Sequence, residues 1–233
     1  MLNASPSGIL NLDKPVNLTS AAVLNRLKRI LPRSTKIGHA GTLDPFASGV
    51  LLVLIGGATR QCEAMMNQPK TYDAEITFGA TTPTDDPEST PVPLDNVIVP
   101  TEEAIAAALR DFVGTPLQRP PAYSALKIGG RRAYDLARKG AATPLAPRVV
   151  KIDSIDIVAY GWPRLRVKIS CGRGTYIRAI ARDLGNALRV GGYLTALRRT
   201  RIGPFGVETA AKLDDLLAGG LERLAPLLQS APL

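Results

Sequence analysis

Residues 38–51 read GHAGTLDPFASGVL, and the rest of the chain can be interpreted outward from them. The stretch holds the only histidine of the chain, His39, and one carboxylate, Asp44, among glycines, small residues and a proline. Glycine and proline interrupt regular structure and predict a loop. The apolar run Val50–Ile55 follows at once and ends at two glycines, which is typical of a buried strand. We therefore expect Asp44 on a loop that leads into the core, where apolar neighbours can exclude water.

The composition indicates a folded protein of a reducing compartment. The chain has 233 residues, of which 45% are hydrophobic and 21% charged, unlike a disordered chain. Its two cysteines, Cys62 and Cys171, lack the paired spacing of a disulfide framework or a zinc site. The first residues lack a basic region followed by a long apolar one, so we expect no secretory leader. No run approaches the roughly 20 apolar residues of a membrane span. We predict a cytoplasmic protein that uses neither a membrane nor a metal.

The formal net charge of +9 is concentrated in one region of the chain. Residues 110–201 contain 19 Lys or Arg and five Asp or Glu, whereas the remaining residues contain 10 and 15. Such asymmetry is typical of a protein that binds a polyanion, because each cation near a phosphate releases counterions. A soluble basic surface without a partner is the alternative. The charge favours nucleic acid.

Apolar periodicity predicts an α+β fold. A helix is predicted after the capping residue Thr19, because apolar residues with helical spacing follow it. A second helix is predicted after Thr101, a capping residue followed by two acids in the first turn, and Gly114 ends it. Strands dominate the middle of the chain, without the regular strand–helix alternation of a parallel α/β fold. The predicted strands lie at 8–15, 50–55, 70–79, 149–158, 164–170 and 194–205. Further helices are predicted at 59–66 and, following the stretch 171–178, through about residue 188. Residues 81–100 contain five prolines and predict a loop.

The stretch at 38–51 resembles the signature of the tRNA pseudouridine synthase B family, and other stretches resemble the same family. These are DKP at 13–15, KTY at 70–72, PPAYSALK at 120–127, GTYIR at 174–178 and LTALRRTRIGPF at 194–205. The resemblance covers nearly all of residues 8–206. It implies a pseudouridine synthase catalytic fold, with a mixed, largely antiparallel central sheet flanked by helices. It also implies a thumb-like insertion at about 120–147 that grips RNA.

The resemblance implies roles for individual residues. Asp44 corresponds to the catalytic nucleophile, Tyr72 to a tyrosine that stacks on the target uracil, and Arg178 to an arginine that pairs with the aspartate. His39 corresponds to a residue that contacts the RNA. As a lone histidine, it could instead be only a hydrogen-bond partner within its loop. Substrate-binding or supporting positions are implied for a further set of residues, which comprises Lys14, His39, Lys127, Arg131, Arg132, Tyr176 and Leu197.

The implied function is that of an isomerase that converts the uridine at position 55 in the T-loop of tRNA to pseudouridine. The target base must leave its stack, and the carboxylate can then act at C6 of the base or at C1′ of the ribose. No cofactor is required, and we expect a monomer bound to the T-arm. An RNA-binding or RNA-folding chaperone without catalysis is the alternative. A phosphate-binding glycine loop is disfavoured, since its Gly-Lys-Ser/Thr ending is missing.

Two positions depart from the family pattern. Asn17 stands where a glycine is usual, and asparagine tolerates a positive φ better than most residues. The loop at 81–100 runs through Asp86-Pro87-Glu88 where the family continues to a glycine, so we assign it no role. For the whole chain we expect a single catalytic domain over 1–233. It would end in a short helical tail at 207–233 and have no C-terminal PUA-type domain.

Overall fold

The computed structural model describes residues 6–124 and 145–230, together with the strand backbone at 127–128 and 131–132. Within these residues the α-helices are α1 (Ser20–Leu27), α2 (Cys62–Asn67), α3 (Glu102–Arg110), α4 (Ile177–Ala187) and α5 (Leu213–Leu224). The longer strands are β1 (Gly8–Lys14), β3 (Ser48–Ile55), β4 (Lys70–Phe78), β11 (Ile152–Gly161), β12 (Arg164–Cys171) and β13 (Gly192–Ile202). The shorter strands are β2 (Ile37–His39), β5 (Ala80–Thr81), β6 (Val92–Pro93), β7 (Leu117–Gln118), β8 (Lys127–Ile128), β9 (Arg131–Arg132), β10 (Arg148–Val149), β14 (Phe205–Gly206) and β15 (Ala211–Lys212).

The chain falls into two compact units. Unit 1 comprises Met1–Tyr72 and Leu197–Leu233, and unit 2 comprises Asp73–Ala196. The boundaries fall within β4 and within β13. The single-domain organisation stays a prediction. Most of the expected thumb-like insertion at 120–147 lies outside the described residues.

The sheet of unit 1 is mixed. Its strand order is β13-β3-β1-β15, with β2 paired to β3 and β14 paired to β13. Strands β1 and β3 are antiparallel from the pair Gly8 and Ile55 to the pair Lys14 and Gly49. The pairs β1–β15 and β13–β3 are parallel. The predicted mixed, largely antiparallel sheet is confirmed.

The apolar run in β3 is continuous because both faces of this strand are buried. Alternate residues of a strand point to opposite faces. On one face Leu51, Val53 and Ile55 belong to a core formed with α1 and α5. On the other face Leu52 and Leu54 belong to a second core, formed with α2 and the β14 region. Strand β3 is thus the centre of unit 1, and it fixes the position at which the preceding loop ends.

Unit 2 contains the antiparallel hairpin β11–β12, and the strand order there is β11-β12-β4. Helix α3 is capped by Thr101, whose side chain accepts a hydrogen bond from the Ala104 N–H, as the sequence predicts. Trp162, in the turn between β11 and β12, stacks on Phe78 with ring centroids 6.3 Å apart. Helix α4 buries most of its residues, including one arginine, Arg178. These helices and sheets confirm the α+β class.

Candidate active site

Asp44 lies in the loop of residues 40–47, between β2 and β3 in unit 1. Leu43, the preceding residue, buries its side chain and thereby anchors this loop. Ser20, the first residue of α1, binds both backbone groups of Leu43. Its hydroxyl donates to the Leu43 carbonyl at 3.1 Å and accepts from the Leu43 N–H at 3.0 Å. A turn follows, in which Ala47 N–H donates to the Asp44 carbonyl at 3.2 Å. The backbone on both sides of Asp44 is therefore held by hydrogen bonds.

Lys14, the last residue of β1, binds the same loop through its buried side chain. Its side chain is fully buried, and its ammonium donates to the carbonyl oxygens of Pro15, Leu18 and Pro45 at 2.9, 2.6 and 3.3 Å. Burial lowers the pKa of Lys14 to about 8, an effect that Asp44 opposes and Arg199 reinforces. Because Pro45 directly follows Asp44, the lysine connects the end of β1 to the candidate nucleophile.

Arg199 is a third buried polar residue at this loop, and the sequence reasoning did not identify it. Its guanidinium donates to the carbonyl oxygens of Val50, Gly41 and Thr42 at 2.7, 3.1 and 3.4 Å. The available signal was its position two residues after Leu197, because residues i and i+2 of a strand share a face. Both residues are indeed buried.

The remaining candidates of unit 1 lie on three strands. Tyr72 is buried on β4, and Leu197 is buried on β13. His39 is half-buried at the end of β2, directly before the loop, where it pairs with Val53 of β3. The structure thus places Lys14, His39, Asp44, Tyr72 and Leu197 in the same compact unit.

Arg178 belongs to unit 2, where it forms a buried ion pair that the sequence did not predict. Its guanidinium lies 3.0 Å from the Asp86 carboxylate, and both side chains are at most 5% exposed. It also donates to the carbonyl oxygens of Thr84 and Tyr123 at 3.0 and 2.9 Å. The Glu88 N–H donates to the other oxygen of Asp86 at 3.0 Å. The proline-rich loop, to which we assigned no role, therefore supplies a partner for Arg178.

Tyr176, also in unit 2, is held at the start of α4. Its backbone N–H donates to the Gln118 side-chain oxygen at 2.8 Å, and its carbonyl accepts from the Gln118 amide at 3.1 Å. The Arg148 guanidinium lies over the Tyr176 ring, 5.1 Å from the centroid, in a cation–π contact. Lys127, Arg131 and Arg132 lie in β8 and β9, and their side chains fall outside the described residues. The predicted pairing of Arg178 with Asp44, and the substrate contacts, stay predictions.

Among the described residues there is neither a candidate membrane-spanning helix nor a candidate metal site. None of their helices has both the length and the apolar character needed to cross a bilayer. Across the same part of the chain, no three His, Cys, Asp or Glu side chains are grouped so that they could hold a metal ion.

The fold is similar to that of solved pseudouridine synthases. Cbf5 in a crystal structure of a Cbf5-Nop10-Gar1 complex superposes with a TM-score of 0.73 at 31% identity, over 97% of this chain. Cbf5 in an archaeal box H/ACA sRNP Nop10-Cbf5 complex gives 0.68 at 30% identity, over 96%. This chain spans 60% of each of those two chains. The class is that of a pseudouridine synthase.

Sequence relatives define the family. The model of the TruB family pseudouridylate synthase N-terminal domain matches residues 28–177, and that of the tRNA pseudouridylate synthase B C-terminal domain matches 178–228. A tRNA pseudouridine synthase B of Syntrophobacter fumaroxidans is 41% identical over 97% of this chain and 76% of its own length. One of Mycobacterium bovis is 45% identical over 92% and 73%. The chain belongs to the TruB family of pseudouridylate synthases.

Proposed function

We propose that this chain converts the uridine at position 55 of tRNA to pseudouridine, with Asp44 as the nucleophile. It would act in the cytoplasm as a monomer that binds the T-arm. Membership of the TruB family supports the reaction class, and the names of the relatives support tRNA as the substrate. The match of GHAGTLDPFASGVL to the family signature supports the role of Asp44.

The reaction is an isomerisation with a simple atom balance. The N1–C1′ bond of uridine breaks, the detached uracil turns, and a C5–C1′ bond forms. The proton at C5 is released, and N1 gains a proton. The enzyme must therefore stabilise charge beside the sugar and base and prevent the loose base from escaping. An ionised carboxylate can act either at C6 of the base or at C1′ of the ribose.

The observation that carries this proposal is the number of buried groups that hold the Asp44 loop. Ser20 binds Leu43, and Lys14 binds Pro45, so both neighbours of Asp44 are restrained. A reaction at one carboxylate depends on near-attack geometry, and a rigid loop can provide it without reorganisation. A protein that only bound RNA would need exposed cations, and it would not need a buried cation that holds the loop around one carboxylate.

The other candidates take complementary roles in the proposal. Tyr72 stacks on the flipped uracil, and Leu197 lines the pocket. Arg178 takes the role of the family arginine that orients the catalytic carboxylate, since a guanidinium matches a carboxylate in geometry and charge. His39 contacts the RNA and helps to hold the flipped conformation. Tyr176 packs near the site, whereas the cations of the 120–147 insertion bind T-arm phosphates.

The test uses two transcripts of one unmodified tRNA, labelled with tritium at C5 of uridine. One carries the natural uridine at position 55 and the other carries cytidine there. We expect the wild-type protein to release one tritium equivalent from the first transcript and none from the second. Carbodiimide mapping by primer extension should locate the product at position 55. Equal release from both transcripts would contradict the position, and binding without release would support a chaperone instead.

A further inference from the structure

Arg199 is a buried cation that is not paired with any acid in the described part of the chain. It is 1% exposed, and the acceptors of its guanidinium are backbone carbonyl oxygens. Burying a charge without an opposite charge is unfavourable, whereas an apolar side chain of similar length would fill the same space. Stability alone therefore does not explain an arginine at this position. A requirement for its three directed hydrogen bonds does.

The three acceptors lie on both sides of the Asp44 loop. Gly41 and Thr42 precede Asp44 by three and two residues, and Val50 follows it as a buried residue of β3. One planar group thus connects the start of the loop to the strand that follows it.

The backbone of Arg199 is brought to this place by Gly49. The two residues are register partners in the parallel pair of β13 and β3. Gly49 has φ 104°, and a Cβ on it would lie only 2.2 Å from the Arg199 carbonyl oxygen. Glycine therefore permits the close approach of β13 from which the guanidinium reaches the loop.

We infer that Arg199 is a positioning residue that aims the Asp44 carboxylate by holding the Gly41 and Thr42 carbonyls. The inference rests on the proposed function of Asp44. Lys14 restrains the other side of Asp44 through Pro45, so the two buried cations act on opposite ends of one short segment. Arg199 touches neither the substrate nor the reacting atoms in this account. Its removal should change the rate of the chemical step rather than the affinity for RNA.

The test compares Arg199→Lys, Arg199→Gln and Arg199→Met with a matched control. Arg201→Met changes an arginine of the same strand that is half exposed and pairs with Glu208 at 2.8 Å. We expect Arg199→Met to lower kcat, measured as the single-turnover rate constant, by about 100-fold, because misplacing a reacting group by about 1 Å can have an effect of that size. The Kd for RNA should change less than about twofold. Lysine restores the charge but not all three hydrogen bonds, so its kcat should lie between those of Arg199→Met and wild type. The control should keep the wild-type kcat.

The NMR signal of the single histidine provides a second readout that does not depend on activity. His39 lies two residues before Gly41, so its imidazole signal in histidine-labelled protein reports on the start of the loop. We expect Arg199→Lys to shift this signal and Arg201→Met to leave it unchanged.

Several results would overturn the inference. They are wild-type kcat in every folded Arg199 variant, a parallel loss of kcat, RNA affinity and melting temperature, an unchanged His39 signal, or failure of all three variants to fold. If the wild type released no tritium, the proposed function would fail. The His39 signal would still decide whether Arg199 holds the loop.

Discussion

The buried pair of Arg178 and Asp86 predicts that Asp86→Asn destabilises unit 2 strongly. The substitution preserves the size of the side chain and one oxygen acceptor, but it removes the negative charge. Arg178 is 5% exposed and Asp86 is 2% exposed, so water cannot take the place of the lost carboxylate. The guanidinium would remain buried without the charge that lies 3.0 Å away in the native protein.

The magnitude follows from the other acceptors of Arg178. Removing one partner of a buried ion pair costs about 3–5 kcal/mol. The carbonyl oxygens of Thr84 and Tyr123, at 3.0 and 2.9 Å, would continue to accept hydrogen bonds from the guanidinium. We therefore expect the lower end, about 3 kcal/mol of unfolding free energy. For a chain of this size the melting temperature should fall by about 6–12 °C.

Urea denaturation followed by tryptophan fluorescence measures this loss, because the only tryptophan, Trp162, stacks on Phe78 in unit 2. Asp85→Asn is the matched control. Asp85 lies 3.1 Å from Arg182, but Arg182 also binds Asp183 at 2.8 Å and would keep a partner. Burial raises the pKa of Asp85, which already disfavours its charge. The control should lose about 1 kcal/mol, the usual net contribution of one hydrogen bond, because no charge is left without a partner. Equal losses in the two variants, or a loss below about 1 kcal/mol in Asp86→Asn, would refute the reasoning.

Two further substitutions test the support of the Asp44 loop. Since the pKa of Lys14 is lowered to about 8 from 10.5, only the unfolded chain holds this proton between those pH values. The free energy of unfolding should rise there by up to about 1.4 kcal/mol per pH unit in the wild type relative to Lys14→Met. Urea titrations at pH 7 and pH 10 measure the difference, and parallel curves would exclude it. Gly49→Ala should lose at least about 3 kcal/mol, because its Cβ would meet the Arg199 backbone at a strained φ. Gly161→Ala is the control, because its added Cβ would meet no atom within 4 Å. Similar losses of stability in both variants would argue against the close approach of Gly49 to Arg199.

Local features of the structure could be predicted from the sequence because they depend on neighbouring residues. Thr19 caps α1 as expected, and its side chain accepts from the Ala22 N–H at 3.0 Å. Asn17 takes the positive φ that a glycine usually provides there, with φ 62°. The apolar run at 50–55 indicated a buried strand, and β3 is buried on both faces. Each of these patterns lies within a few residues of its cause.

The polar contacts at the candidate site could not be predicted in the same way. Asp86 meets Arg178 although 92 positions separate them, and nothing near either residue indicates the other. Arg199 meets Val50 across 149 positions, and no role was predicted for this arginine from the sequence. Both pairs join segments that are far apart in the sequence, and a local apolar pattern does not indicate which distant segments meet. The helix predicted at 59–66 begins instead as a 3-10 helix, Gly56–Gln61, and α2 follows it.

The most direct test of the central claim follows tritium release from a T-arm RNA labelled at C5 of the target uridine. Wild type and Asp44→Asn are compared, and the affinity of each for the same RNA is measured in parallel. Because the substitution removes only the charge of one half-buried carboxylate, binding should persist. We predict release by the wild type and none by Asp44→Asn at equal RNA occupancy. Undiminished release by Asp44→Asn would contradict the assignment of Asp44 as the nucleophile.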